Sequence, residues 1–215
     1  MSNRPIALIV DCPSQGVRRL CVVTAVLLGT IASAPIWAGS PPADEVRRLI
    51  AEQDDACEPR GWKYIVLHHS ATDSGSVESI DAAHRQRRDS NGQPWRGIGY
   101  HFVIGNGNGM ADGEVAATFR WHQQTDGAHA GVAQFNQLGI GICLIGNFEE
   151  AAPTPAQVAS AARLINALQA EYRIEDDRLL AHRDLKPTAC PGERFPLAMF
   201  REEKPVILQT SQTGD

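Results

Sequence analysis

Two short apolar runs have no polar interruption: Ile65-Val66-Leu67, inside the stretch 63–68, and the segment 139–146, GIGICLIG. Runs this short are below helix length and suit strands buried on both faces. Elsewhere the pattern is periodic. Val158, Ala161, Ala162, Ile165 and Leu168 recur at helical spacing behind Thr154, Pro155 and Gln157. Thr with Gln three residues on is a capping box, and Pro fits the first helical position, so a helix is predicted from 155. In 41–53, Val46, Leu49 and Ile50 share one face, with Asp44 and Glu45 in the first turn; this is a short amphipathic helix. A further helix is predicted over 76–88, and strands over 100–104, 114–120 and 178–182. Turns are expected at 90–94, 106–109 and 187–192, and a last helix near 196–203. Strands alternating with helices indicate an α/β fold, a single domain with a central mixed β-sheet flanked by helices.

The N-terminus has a different grammar. Arg18 and Arg19 precede an apolar run from Leu20 to Ala34, and small residues at Ala32, Ala34 and Ala38 follow. A basic start, an apolar centre and a small-residue exit describe a signal peptide, 1–38, cut after Ala38. The expected plan is then a helix and connection over 39–61, a main domain over 62–203 and a tail over 204–215. The product would be exported, to the periplasm or outside the cell, with no stable membrane insertion after cleavage.

The chain has 215 residues and a formal net charge of −5. Removing 1–38 takes away Arg4, Arg18, Arg19 and Asp11, which leaves the remainder more acidic. Such a charge argues against a nucleic-acid partner. The length supports a core without a disulfide scaffold, and a monomer is expected. Beyond the leader three Cys remain, Cys57, Cys143 and Cys190. An odd count in an oxidising compartment asks for a reason, and a metal thiolate is one.

Seven His in an acidic chain direct attention to metal chemistry. His68 and His69 close the first predicted strand, His182 closes a short one, and Cys190 follows eight residues later. Catalytic zinc takes three protein ligands and leaves one position open, and His68, His182 and Cys190 offer two nitrogens and a sulfur. Spacing alone leaves each of these residues a structural alternative: a hydrogen-bonded core histidine or a small buried thiol.

From Trp62 to Phe195 the sequence resembles the zinc-dependent N-acetylmuramoyl-L-alanine amidases, whose domain is shared with animal peptidoglycan recognition proteins. Five stretches carry the resemblance in order: YIVLHHSAT (64–72), GIGYHFVIGNGNG (97–109), GAHAG (127–131), LGIGICLIGNF (138–148) and AHRDLKPTACPG (181–192). The resemblance implies zinc (Zn2+) held by His68, His182 and Cys190, a catalytic Tyr100, and peptidoglycan or a muropeptide as substrate. Thr188 matches a second catalytic position, Lys in some members and Thr in many recognition proteins. His129 matches a position lining the substrate groove. Read from its place beside His68, His69 is either a substrate contact or a group supporting the ligands, or else a packed strand residue. Non-catalytic recognition proteins typically lose the Cys ligand, so Cys190 favours an enzyme.

The remaining residues are read as structural. His101 is expected to alternate away from Tyr100 and be buried. Arg183 and Asp184 are expected to orient the loop or form an ion pair. Trp121 and His122 either border the groove or lie on the surface. Cys143 is expected to be a buried free thiol, with pairing to Cys57 left open. Two rival functions stand beside the amidase: a binding module that does not cut, and a Cys–His hydrolase with Cys190 as nucleophile and His182 as base.

Overall fold

The computed structural model describes residues 41–201 except 55, 56, 59 and 90. The expected signal peptide, its cleavage point and the tail over 204–215 lie outside the described residues. So does the end of the helix expected over 196–203.

Among the described residues, five strands form one mixed sheet: β1 (Tyr64–His69), β2 (Phe102–Ile104), β3 (Val115–Ala117), β4 (Gly139–Leu144) and β5 (Leu179–Ala181). Their order is β3-β2-β4-β1-β5. β1 lies between β4 and β5 and runs parallel to both, β2 is parallel to β4, and β3 is an antiparallel edge. The helices are α1 (Ala43–Ala51), α2 (Val77–Arg85), α3 (Phe119–His122), α4 (Ala133–Leu138), α5 (Pro155–Tyr172) and α6 (Leu197–Arg201).

The two apolar runs become β1 and β4, and both are buried on both faces. Alternation then divides their side chains. Ile65 and Leu67 of β1, with Ile140, Ile142 and Leu144 of β4, join Val46 and Ile50 of α1 and Leu164, Ile165 and Leu168 of α5 in one core. Val103 of β2 lies in a smaller cluster with Ile98, Met110 and Ile145, against Val77 and Ile80 of α2.

The predicted capping box forms. Thr154 Oγ1 accepts the Gln157 N–H at 3.0 Å, and Gln157 Oε1 accepts the Thr154 N–H at 3.1 Å. Gln157 also donates from Nε2 to the carbonyls of Ile104 and Ile145. One side chain thus ends two strands and starts the longest helix.

Three predicted boundaries move, each for a local reason. β2 starts at Phe102, because the Tyr100 carbonyl is taken by the Thr118 hydroxyl at 2.7 Å. The strand expected over 114–120 stops at Ala117, where Thr118 Oγ1 accepts the Arg120 N–H and caps α3. α2 ends at Arg85, and Arg87 accepts the Trp95 N–H across a bridge between Arg88 and Pro94. α4 was not predicted: none of its residues is buried, so it carries no apolar stripe.

Candidate metal centre

β1 and β5 run parallel and pair Leu67 with Ala181. The next residue of each chain is a histidine, so the register alone brings His68 and His182 together, with ring centroids 4.6 Å apart. Both lie at carboxyl ends of parallel strands, where open α/β sheets place their ligands. Beyond β5 the chain makes a 3-10 turn over 182–184, closed by Asp184 Oδ2 accepting the Ala181 N–H at 2.9 Å. His182 therefore opens this turn rather than ending the strand.

The 187–192 loop then folds back. The Arg183 N–H donates to the Cys190 carbonyl at 2.9 Å, and Arg183 Nη1 donates to the Gly192 carbonyl at 2.8 Å. Arg183 thus orients the loop, while Asp184 pairs with Arg201 at 2.5 Å. Cys190 Sγ comes to 3.7 Å from His68 Nδ1 and accepts the His69 N–H at 3.4 Å. The ligand atoms of His68, His182 and Cys190 all lie within 4.8 Å of one another. Among the described residues this is the one such group of His, Cys and carboxylate side chains.

The donor set fits zinc. Two imidazoles and a thiol are the ligand types of a three-ligand catalytic site. Burial, with His129 and His182 nearby, holds His68 well below its ordinary pKa. Burial also lowers His182, with Lys186 adding to the effect. Both rings are thus neutral, as metal ligands must be. Burial pushes the Cys190 thiol up to about 11. A thiol acting alone as nucleophile needs the opposite shift, whereas a coordinating dication removes the proton outright. This speaks against the Cys–His hydrolase.

A family model described as N-acetylmuramoyl-L-alanine amidase matches residues 58–193. The chain belongs to this family. It is 29% identical over 178 residues to peptidoglycan-recognition protein 2 of Holotrichia diomphalia, covering 78% of this chain and 86% of that protein. It is 31% identical over 155 residues to the endolysin of Escherichia phage T7, covering 70% and 91%. The fold is similar to that of the endolysin amidase LysCS from Clostridium intestinale, with a TM-score of 0.56, 32% identity, and coverage of 66% of this chain and 82% of that one. It is also similar to peptidoglycan recognition protein-LE solved in complex with tracheal cytotoxin, with a TM-score of 0.52, 26% identity and coverage of 71% and 89%.

Tyr100 lies against the group formed by His68, His182 and Cys190. Its ring centroid lies 5.1 Å from His68 and 5.5 Å from His84. Burial, with the nearby Cys143 and Cys190 sulfurs, raises its pKa well above the ordinary tyrosine value. Sequence reasoning missed the Cys143 neighbour, although the register His68↔Cys143 puts the thiol beside His68. Thr188 is exposed, and its Oγ1 accepts the Cys190 N–H at 3.3 Å.

The two histidines expected at the substrate are placed differently. His69 points from β1 to the face opposite His68, and its Nδ1 accepts the Phe148 N–H at 3.2 Å. The packing alternative describes it: the side chain anchors the chain leaving β4. His129 is 6% exposed, and both its ring nitrogens are used within the protein. It faces His68 and the Gly139 carbonyl. Among the other candidates, His101 is fully buried, accepts the Gly141 N–H and packs on Trp62. Trp121 is also fully buried, with Nε1–H donating to the Ile50 carbonyl, so it does not border a groove. Cys57, Cys143 and Cys190 are free thiols.

Proposed function

We propose that this amidase-family chain is an exported zinc hydrolase that cleaves the amide between the lactyl group of N-acetylmuramic acid and the L-alanine of the stem peptide. The observation that carries the reading is the convergence of His68, His182 and Cys190 within 4.8 Å, with Tyr100 against His68. His68, His182 and Cys190 would hold Zn2+, which when bound would supply a Lewis acid for the amide carbonyl and a nucleophile at neutral pH.

The chain's own residues supply the rest. Hydrolysis of an amide builds negative charge on the carbonyl oxygen, and preorganised donors stabilise it. Burial raises the Tyr100 pKa, which suits its hydroxyl to donate rather than to act as a base. The Thr188 oxygen accepts from the Cys190 backbone, which leaves its hydrogen for the same task. One such donor is worth about 3 kcal/mol of barrier. Because Thr is neutral, its hydrogen bond is weaker than one from a cationic side chain.

The recognition proteins among the relatives support a second reading, in which muropeptides are bound and not cut. The two readings separate in one experiment: mass spectrometry of products from purified muropeptides, with and without a chelator. Release of intact stem peptide, stopped by chelation and restored by zinc, supports the amidase. Zinc-loaded protein that binds muropeptide without turnover supports the recognition module, and cleavage within the glycan or peptide contradicts both.

A further inference from the structure

The 127–131 loop reaches both metal histidines from behind, although 61 residues separate His129 from His68. His129 Nε2 lies 3.2 Å from the Gly139 carbonyl oxygen. A carbonyl only accepts, so this nitrogen carries the hydrogen, and His129 Nδ1 is left as an acceptor. That nitrogen lies 3.0 Å from His68 Nε2, which must therefore donate. His68 is left with a lone pair on Nδ1, the nitrogen that faces Cys190 Sγ. The next residue repeats the arrangement: the Ala130 carbonyl lies 3.1 Å from His182 Nε2, which frees His182 Nδ1.

The loop is built for this. Asn136 Oδ1 accepts the N–H groups of His129 and Ala130 at 3.0 and 2.9 Å, and its carbonyl accepts the Gly127 N–H at 2.8 Å. Gly127 and Gly141 flank the His129 ring so closely that a Cβ at either position would overlap it. The slot fixes the plane of the ring, and the Gly139 carbonyl and His68 Nε2 set which nitrogen faces which partner.

We infer that the 127–131 loop, pinned by Asn136, is the orienting frame of the metal centre, and that His129 is a positioning residue rather than a substrate contact. Its ring locks His68 in the tautomer that presents Nδ1 to the metal. This rests on the metal-site reading of His68, His182 and Cys190, but not on the amidase reaction. Partners that orient ligating histidines commonly contribute ten- to a hundredfold to metal affinity.

The test compares zinc affinity of His129→Ala, His129→Asn and the unchanged protein by chelator competition. His129→Ala should bind zinc ten- to a hundredfold more weakly. His129→Asn, whose Oδ1 replaces the lost acceptor, should recover most of that loss. Equal zinc affinity in His129→Ala with a raised KM would make His129 a groove contact and overturn the proposal. Should the variants not fold, nitrogen-15 spectroscopy of the zinc-loaded, unchanged protein decides. A coupling across the hydrogen bond from His68 Nε2 to His129 Nδ1 supports the inference, and metal on His68 Nε2 refutes it. An unchanged protein that binds no zinc overturns the metal reading itself, whereas equal affinity in the variants overturns only the relay.

Discussion

The two faces of β1 and β4 use the same six-residue strands for opposite purposes. On one face Ile65, Leu67, Ile140, Ile142 and Leu144 meet α1 and α5, and the contact is apolar. On the other, register sets Val66 beside Gly141 and His68 beside Cys143, and the His129 ring lies over Gly141. The first face is held by area removed from water, which is non-directional. The second is held by hydrogen bonds in which each nitrogen has a single compatible partner. Stability and chemistry are thus separated by one step of the β alternation, and substitutions on the two faces should differ in kind.

The sharpest break of this contrast is removal of a ligand. Cys190→Ala should fold with unchanged apolar packing, lose tight zinc binding and lose turnover altogether, as read by metal content and muropeptide cleavage. Tyr100→Phe comes next: zinc content unchanged and kcat lower by about a hundred- to a thousandfold. Leu164→Ala probes the apolar face. It should cost about 2–5 kcal/mol in denaturant unfolding and leave zinc affinity of the folded protein as it was. Gln157→Ala, which abandons two strand-end carbonyls and a cap, should cost about 1–3 kcal/mol. The smallest effect is on acid sensitivity. Burial, with Arg87 nearby, holds His84 down to about 4. Unfolded histidine takes up a proton near 6.5, so between those values the unfolded state binds more protons and stability falls as pH falls. His84→Gln should flatten that decline in urea midpoints measured on zinc-free protein.

Much of the apolar face was legible in the sequence, because its signals are local. Unbroken runs named β1 and β4, and Thr154, Pro155 and Gln157 marked the start of α5. The stripe on α5 was read nearly whole, though Leu164, fully buried, was left out. The grouping of His68, His182 and Cys190 was legible only through the motifs around them, since H-x7-C spacing is weak and the pairing of Leu67 with Ala181 is not written in either segment. The histidine face was harder. Whether His129 lines a groove or supports His68 depends on a hydrogen bond spanning 61 residues and on the absence of a Cβ at Gly141. For His69 the packing alternative fits, because strand alternation sends adjacent histidines to opposite sides and its Nδ1 accepts the Phe148 N–H. Asn136 gave no signal, being a partly exposed polar residue on a helix with no buried stripe.

The central claim is that two imidazole nitrogens and one sulfur from the ends of parallel strands grip a single ion. X-ray absorption of the zinc-loaded protein tests it directly. The account predicts two nitrogen neighbours at about 2.0–2.1 Å and one sulfur at about 2.3 Å. A first shell of nitrogen and oxygen without sulfur would contradict it.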